Sequence, residues 1–594
     1  MRSDPLSPYP RYLAAILLLW CAIASSVCAQ NATVPLPGAT AVTGVLENGS
    51  LVLAERTVPD GYMELFPAYD GTYRDPVVVV EGFDPTNSSL PADVYNTLNT
   101  WGGLDIARAA GRSVWVINFG DGGGALTANA QLVSHAIATA ANYGGLSDAH
   151  VNVLGISMGG VISRYALAYD EQYGGPSDGL VRLFVSGDSP QQGANAPPSL
   201  QEIIVFSDDP EYAPLLACDA AQSLLYESLV SYEDNGCGAG ALPSSTNWTG
   251  STAAHDWFYN TLDALNSDGY PHKCRNVAVA NGSVDPQPHS VGDPIYTART
   301  YLVLIFRILL CTEVYGAYPT DVAPGSLAGD FAPGNIRQDN FELDEHFLAT
   351  FIPTDSALDI RGGTSMFDRT IHQQQAVNHS TITAETTDFI LEESLGPNPV
   401  YNPKYLPDGV NATLSGWVVT AVFADMFYAE SPDRLAGMQV ISNTPVSEGD
   451  VVTVRGAMST QQGERIMSAS SVAVDGSAAV PDPFALSNST LGGSAFGDHC
   501  PGIAGASGLN NVGLLVRTCG SVTQVGADHF YIDDGSQLDD GSGYPGVKVL
   551  ASGLTLPTAG DFVQITGISS CYQSADTLHR LLRIRKQLDI QVVP

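Results

Sequence analysis

The chain has 594 residues, with 25 lysines and arginines against 62 aspartates and glutamates, and a formal net charge of -37. This length exceeds what one hydrophobic core holds, so about two to four domains are expected. The negative charge excludes nucleic acid and anionic membrane surfaces as general partners, because phosphate binding needs clustered lysine and arginine.

The first predicted element is a secretory signal peptide over residues 1–29. Arg2 and Arg11 precede an apolar run, and small residues before Gln30 offer a cleavage site after Ala29. We therefore expect an exported protein, secreted and extracellular or periplasmic. A later apolar run, at 301–311, is interrupted by an arginine and is too short to cross a bilayer. It predicts a buried strand or a lid segment, and no integral membrane span is expected.

From about residue 41 to 283 the sequence alternates apolar strands with helical patterns, within a catalytic domain predicted over 30–400. Apolar runs that lack alternation are typical of parallel strands buried on both faces. The pattern predicts a doubly wound, mostly parallel α/β sheet. The less regular segments 196–273 and 284–348 are predicted to be lid-like insertions over its carboxyl edge. The predicted strands start at Val77, Ser113, Val151, Val181 and Arg275, with a helix over 125–143.

Two of these strands end in glycine turns. After Val77–Val80 comes Gly82-Phe83, and after the strand at Val151 comes Gly155-Ile156-Ser157-Met158-Gly159, which matches G-x-S-x-G. A serine at such a strand-to-helix corner is exposed for nucleophilic attack. The second turn predicts Ser157 as the nucleophile. The first predicts an oxyanion hole made by the backbone N–H groups of Phe83 and Met158.

Seven cysteines remain after the signal peptide. An oxidising compartment favours disulfides, and two pairs are neighbours in sequence, but spacing does not fix the pairing. No pair has metal-site spacing, so neither a metal nor a cofactor is expected. The seven are Cys218, Cys237, Cys274, Cys311, Cys500, Cys519 and Cys571.

The acid of a serine triad must lie on a loop at the same sheet edge as the histidine. A predicted strand at 350–354 is followed by Asp355 and Asp359. Asp359 is the favoured acid, because the chain has room to turn back before the histidine loop, and Asp355 is the alternative. Three further aspartates stay open as candidates: Asp368, and the strand-end residues Asp188 and Asp285.

The base is predicted to be His379. It lies in a loop just before a helical pattern that Thr383 can cap. This is where the last loop of the sheet would return a base to Ser157. The competing residue, His372, is predicted to lie on the surface.

Beyond residue 400 a Pro/Asn/Gly-rich linker leads into an all-β pattern. Residues 416–459 align with 520–570, which predicts two small β-barrels over 410–480 and 505–594. Their acidic linkers argue against nucleic-acid binding, which needs a basic groove with stacking aromatics. The division also predicts that a chain ending near Val400 folds and hydrolyses small esters.

In chain order, six segments resemble landmarks of bacterial lipase/esterase-like α/β-hydrolases, over about residues 75–395. The β repeats resemble the OB-fold-like repeats appended to some secreted bacterial hydrolases. The resemblance implies a secreted serine hydrolase that cleaves carboxylic esters, with an ester or lipid as substrate. One departure is that Ala349-Thr350-Phe351 stands where many secreted lipases carry Asp-Gly before their acid loop. The segments are 77–85, 155–160, 184–195, 275–283, 351–359 and 378–383.

Two other functions stay open. One is a surface-associated binding or adhesion protein with a degenerate hydrolase domain, whose β repeats carry the function. The other is an amidase or peptidase on the same fold, because a Ser-His-acid set also cleaves amides.

Overall fold

The computed structural model describes residues 32–145, 150–196, 201, 216–232, 248–283, 287–289, 294–304, 306–315, 320–322, 341–345, 351–373, 377–379, 381–396, 401–497, 499–574 and 577–594. The predicted signal peptide, Cys237 and Asp285 lie outside the described residues, as do large parts of both predicted insertions. The chain divides into two compact units. The first comprises Met1–Ala68, Thr72–Thr100 and Arg112–Gly396, and the second comprises Tyr69–Gly71, Trp101–Gly111 and Pro397–Pro594.

The helices of the described residues are α1 (Pro91–Leu98), α2 (Gly103–Ala109), α3 (Leu126–Asn142), α4 (Met158–Tyr173), α5 (Asp219–Leu224), α6 (Ala253–Asp263), α7 (Thr354–Ala357) and α8 (Ala384–Leu395). Of these, α2 belongs to the second unit. Short 3-10 turns cover Tyr143–Gly145, Leu265–Ser267, Pro403–Tyr405, Asn488–Thr490 and Gln587–Asp589.

The strands of the first unit are β1 (Ala32–Leu36), β2 (Ala39–Glu47), β3 (Ser50–Val58), β4 (Gly61–Phe66), β5 (Val77–Val80), β6 (Val114–Asn118), β7 (Val151–Ile156), β8 (Val181–Gly187), β9 (Ser228–Tyr232), β10 (Trp248–Ser251), β11 (Arg275–Ser283), β12 (Gln287–His289), β13 (Pro294–Leu304), β14 (Phe306–Tyr315), β15 (Thr320–Val322), β16 (Phe341–Glu345), β17 (Ile360–Arg361), β18 (Thr364–Ser365) and β19 (Arg369–Gln373).

Eight of these strands form one sheet, in the order β1-β4-β6-β5-β7-β8-β11-β19. The six strands from β6 to β19 run parallel, and β1 and β4 add an antiparallel edge. The predicted α/β fold with a mostly parallel sheet is therefore confirmed for the first unit. The carboxyl ends of the parallel strands share one edge, which is where side chains from distant parts of the chain meet.

The sheet is buried because its strands are continuously apolar. All four valines of β5 are buried, as are Val153 on β7 and Phe184 on β8. Helices α3 and α4 contribute Leu132, Ile137 and Val161 to the same core. Packing on both faces explains why these strands lack the alternation of a half-exposed sheet.

Two predicted strands are corrected. The segment 350–354 contributes no strand within its described residues, because Pro353 precedes helix α7, where its fixed φ and missing N–H suit a helix start. The last strand of the sheet is instead β19, a short polar edge strand that contains half-buried His372. The apolar run 301–311 is divided between β13 and β14, which pair antiparallel.

The strands of the second unit are β20 (Asn411–Val422), β21 (Met426–Glu430), β22 (Gly437–Ile441), β23 (Asp450–Gln461), β24 (Glu464–Ser477), β25 (Phe484–Ala485), β26 (Leu515–Val525), β27 (His529–Asp533), β28 (Val547–Leu550), β29 (Phe562–Ser574), β30 (Thr577–Arg583) and β31 (Ile590–Val593). The first five form a closed barrel in the order β20-β21-β22-β24-β23. The second set repeats that order as β26-β27-β28-β30-β29, with β26 also pairing with β29. The all-β character of this region is confirmed.

The second unit joins its two barrels through buried carboxylates. Glu430 of the first barrel accepts a hydrogen bond from the Leu515 N–H of the second at 2.5 Å. Glu464 accepts one from the Ser570 hydroxyl at 2.5 Å. Both glutamates are buried. Removing either donor would therefore leave a buried carboxyl oxygen without a hydrogen bond and destabilise the fold.

The second unit also contains two segments from the early chain. The ring of Tyr69 stacks on Tyr405, with 5.7 Å between centroids. Gly102, before α2, lies against Val410 so closely that a β-carbon there would be 2.3 Å from a Val410 methyl. Residues 69–71 and 101–111 therefore depend on the chain beyond residue 400 for their packing.

Of the helices in the described ranges, none combines the length and the apolar character needed to cross a membrane.

Candidate active site

Ser157 occupies a strained corner between β7 and α4. Its φ of 53° and ψ of −128° lie in a region that residues other than glycine rarely adopt. Backbones crowd the corner from both sides. A β-carbon on Gly155 would lie 2.5 Å from the Gly159 carbonyl oxygen, and one on Gly159 would lie 2.3 Å from that of Val80. The two glycines of the motif are therefore required by close approach, and they hold the Ser157 side chain out of the turn.

His379 lies against this serine. Its Nε2 is 2.8 Å from Ser157 Oγ, and the Phe351 ring meets the imidazole edge-on at 5.4 Å. The histidine precedes α8, where the Thr383 hydroxyl accepts the Thr386 N–H at 3.1 Å, so the predicted helix cap is confirmed. Ser157 and His379, 222 positions apart in sequence, are thus brought into hydrogen-bond contact.

The carboxylate at the other nitrogen of the imidazole belongs to Asp188. Its Oδ2 is 2.6 Å from His379 Nδ1, and its Oδ1 accepts the Asn281 N–H at 2.8 Å. Asp188 follows β8, is 5% exposed and has a φ of 42°. Its N–H donates to the Val279 carbonyl at 2.8 Å, which fixes it to the neighbouring strand β11. The structure therefore gives Asp188 the position predicted for Asp359.

Asp359 belongs to a different group of side chains. It is fully buried and contacts Arg164 at 3.1 Å, the Tyr270 hydroxyl at 2.6 Å and Gln192 Nε2 at 2.8 Å, in addition to Arg361. Burial would raise the pKa of Asp359, but the Arg164 charge and the hydrogen bonds from its other partners outweigh burial and leave the pKa below its ordinary value. This carboxylate is ionised, and it is occupied by arginines rather than by His379.

The prediction of Asp359 was wrong because the described residues 351–354 of the expected strand form no strand. Without it, Asp359 does not follow a strand end of the main sheet. The alternative Asp355 is exposed in the first turn of α7, and Asp368 accepts the Asn276 N–H at 2.8 Å. The sequence feature that pointed to Asp188 was the apolar run that ends in Gly187-Asp188, because its strand β8 pairs directly with β7, the strand that ends just before Ser157.

The predicted oxyanion turn lies beside the serine. A β-carbon on Gly82 would be 3.1 Å from Ser157 Cβ and 3.6 Å from its Oγ. The N–H of Ser157 is already bonded to the Gly187 carbonyl at 2.9 Å. Met158 is the first residue of α4, and a first-turn helical N–H has no intrahelical acceptor. The N–H groups of Phe83 and Met158 stay the predicted oxyanion donors.

A buried carboxyl group supports the strand before this turn. Glu81 is 3% exposed and its Oε1 accepts the Phe119 N–H at 2.8 Å. Its other oxygen is buried and has no hydrogen-bond partner. Burial raises the pKa of Glu81 to about 8, against the opposing effect of the Phe119 hydrogen bond. At neutral pH this side chain is therefore largely protonated.

Within the described part of the chain, no group of three or more histidine, cysteine, aspartate or glutamate side chains is placed to hold a metal ion. The chemistry available at this edge of the sheet is that of a hydroxyl, an imidazole and a carboxylate in one hydrogen-bonded chain. That arrangement activates a hydroxyl as a nucleophile.

No protein-family model matches the chain. No curated protein matches it either. Among solved structures it is similar to Est1E from Butyrivibrio proteoclasticus, at 10% identity and a TM-score of 0.17, over 25% of this chain and 50% of that one. It is also similar to EstE1, a thermostable carboxylesterase cloned from a metagenomic library, at 13% identity and a TM-score of 0.20, over 40% and 68%. A variant of esterase rPPE matches at 11% identity and a TM-score of 0.24, over 41% and 63%.

These structural neighbours are esterases, and the chain spans about half the length of the first of them.

Proposed function

We propose that the protein is a serine hydrolase of the α/β-hydrolase fold that cleaves carboxylic esters through an acyl-enzyme, with Ser157 as nucleophile, His379 as base and Asp188 as acid. One observation carries the proposal: the continuous hydrogen-bond chain from Ser157 Oγ to His379 Nε2 at 2.8 Å and from His379 Nδ1 to Asp188 at 2.6 Å. A serine hydroxyl is a poor nucleophile unless a base accepts its proton.

In the proposed reaction, Ser157 Oγ attacks the acyl carbon while His379 Nε2 takes the hydroxyl proton. Asp188 holds the imidazole in the tautomer with its proton on Nδ1 and stabilises the imidazolium. The carbonyl oxygen becomes an oxyanion that accepts hydrogen bonds from the Phe83 and Met158 N–H groups. His379 then protonates the leaving alkoxide. A water molecule, activated by the same imidazole, attacks the acyl-enzyme and releases the carboxylic acid.

A fluorophosphonate probe tests the nucleophile, because it forms a covalent bond only with an activated serine. We expect the purified chain to be labelled and to hydrolyse p-nitrophenyl esters. Ser157→Ala should abolish both, with a loss of kcat of about 10⁴ to 10⁶-fold, while circular dichroism stays unchanged. Ser163→Ala is the matched control, because Ser163 lies in the same helix with its hydroxyl bonded to the Gly159 carbonyl. Ester turnover by Ser157→Ala equal to that of the parent would refute the proposal.

A panel of matched p-nitrophenyl esters and p-nitroanilides separates an esterase from an amidase or peptidase. We expect turnover of the esters, with graded acyl chain lengths reporting the preference between short-chain esters and lipids. Turnover of the anilides alone would instead support the amidase alternative. The absence of both activities and of labelling would support the binding-protein alternative.

We also propose that the chain is exported after cleavage behind Ala29, and that its two C-terminal barrels are OB-fold-like accessory domains. The export proposal rests on the apolar, arginine-preceded N-terminal segment. The barrel proposal is supported by the five-strand order that both copies share. Intact-mass analysis of the chain recovered from the medium or periplasm tests export, with Gln30 expected as the first residue.

A further inference from the structure

Asn281, on β11, contacts both the acid and the base of the proposed triad. It is 4% exposed. Its backbone N–H donates to Asp188 Oδ1 at 2.8 Å. Its side chain reaches the opposite way, into the loop that carries His379. One residue thus touches both partners of the short Asp188–His379 hydrogen bond.

The side-chain contacts of Asn281 are all donations to backbone carbonyls. Nδ2 lies 2.9 Å from the Asn378 oxygen, 2.8 Å from that of His379 and 3.1 Å from that of Thr381. Three carbonyl acceptors around one amide nitrogen fix which end of the amide faces the loop, because only the NH₂ group can donate. The backbone carbonyl of Asn281 accepts a hydrogen bond from the Val377 N–H at 3.0 Å.

These contacts hold the histidine loop where regular secondary structure does not. His379 lies between strand β19 and helix α8, and the described residues of this loop, 377–379 and 381–383, belong to no strand. The imidazole position therefore depends on what holds the backbone on either side of it. The buried Asn281 amide contacts that backbone directly and belongs to β11, a strand that pairs with a neighbour on each side.

We infer that Asn281 is a positioning residue of the proposed reaction: it sets the distance between Asp188 and His379 by holding the acid with its backbone and the histidine loop with its side chain. The inference rests on the proposed function. Asn281 touches neither substrate nor reacting atoms, so its removal should weaken the alignment of the base and leave substrate binding in place.

The test is Asn281→Ala, which removes the Nδ2 group and its contacts with the three carbonyls and keeps the backbone donation to Asp188. We expect kcat to fall about 10²-fold, the size of effect that a displacement of about 1 Å produces, with KM little changed. The rate of fluorophosphonate labelling should fall in parallel. Asn281→Asp, which keeps the size but removes the donors, should behave in the same way.

A spectroscopic readout separates positioning from general support of the fold. The proton in the short His379–Asp188 hydrogen bond should give a far-downfield NMR resonance that is absent from Asp188→Asn. In Asn281→Ala we expect this resonance to move upfield or broaden. The matched control is Asn276→Ala on the same strand, whose amide donates to the Pro271 carbonyl at 2.8 Å and whose loss should leave kcat and the resonance unchanged.

Three outcomes would overturn the inference: an unchanged kcat and resonance in Asn281→Ala, a loss of activity that follows only the folded fraction, or a failure of both Asn281 variants to fold. Ser157→Ala distinguishes these from a failure of the proposed function. If that variant keeps its turnover, the proposed nucleophile is wrong. If it loses turnover while Asn281→Ala does not, only the positioning role is wrong.

Discussion

The guanidinium of Arg164 lies 3.1 Å from Asp359, and neither side chain is exposed to solvent. Arg164 is on α4, the helix that begins directly after Ser157, and Asp359 follows α7. Gln192, four residues after Asp188, donates to the same carboxylate at 2.8 Å. The Asp359 carboxylate therefore connects helix α4 to the segment that follows Asp188.

Asp359→Asn should unfold more easily without losing the chemistry. In this variant Arg164 keeps only its partly exposed partner Asp263, at 2.9 Å, and removing one partner of a buried ion pair costs about 3–5 kcal/mol. Because the pKa of folded Asp359 is lowered, its stabilisation is present above the ordinary pKa of aspartate and is lost as the pH falls. We expect the difference in unfolding free energy, measured in urea, to be large at neutral pH and to shrink in acid.

The control for this measurement is Asp355→Asn, at an exposed position. It should keep the kcat of the parent chain and lose far less stability than Asp359→Asn. A fall in the kcat of folded Asp359→Asn as large as that expected for the triad acid would contradict the structural role.

Asp188→Asn should leave the fold intact and lower kcat by about 10⁴-fold. An asparagine amide facing Nδ1 favours the tautomer with the proton on Nε2, and that nitrogen then cannot accept the Ser157 proton. Steady-state kinetics on a p-nitrophenyl ester, with circular dichroism as the folding check, measures the effect. If this variant kept nearly the activity of the parent chain, Asp188 would not be the acid of the triad.

Glu81→Gln should change how stability depends on pH. The pKa of folded Glu81 is raised to about 8 by burial, so the stability that its protonated form provides is full below the ordinary pKa of glutamate and is lost as the pH rises through about 8. Between the ordinary pKa of glutamate and about pH 8, the unfolding free energy of the parent chain should fall by up to about 1.4 kcal/mol per pH unit. Glu81→Gln should not show this loss.

Thermal unfolding between pH 5 and about 9 measures the Glu81 effect. The exposed Glu55 offers the matched control, since Glu55→Gln removes the same charge outside the core. Parallel stability profiles for the parent and Glu81→Gln would show that the buried carboxyl does not titrate in this window.

A chain ending at Gly396 should be less stable than the full chain. The sequence alone predicts that such a chain folds and hydrolyses small esters. The structure adds that Tyr69 stacks on Tyr405 and that Gly102 packs against Val410, so truncation leaves both early segments without these partners. We expect a lower Tm and partial aggregation in size-exclusion chromatography.

Tyr405→Ala in the full chain is the companion to this truncation. It removes the ring that stacks on Tyr69 and that also lies 4.1 Å from the Phe496 ring, and it should lower Tm by a smaller amount than the truncation. If the truncated chain were monodisperse and had the same Tm as the full chain, the early segments would fold without the barrels.

Features of the fold that are marked by apolar runs and glycines could be predicted from the sequence. The parallel strands, the corner at Ser157 and the repeat in the β region follow from such patterns. The carboxylate partner of His379 and the edge strand β19 do not follow from them, because their positions depend on pairing between distant segments. Asp188 becomes adjacent to His379 only once β8 lies beside β7, and the polar sequence of β19 carries no apolar run that would mark it as a strand.

The order of the four site residues along the chain equals the order of their strands across the sheet: Ser157 follows β7, Asp188 follows β8, Asn281 lies on β11 and His379 follows β19. Neighbouring strands are about 4.8 Å apart whatever the length of chain that joins them. Asp188 and Asn281 are 93 positions apart in sequence yet share a 2.8 Å hydrogen bond. Selection can therefore lengthen or exchange the connecting segments, and with them the groups offered to a substrate, while the sheet keeps the reacting atoms in register.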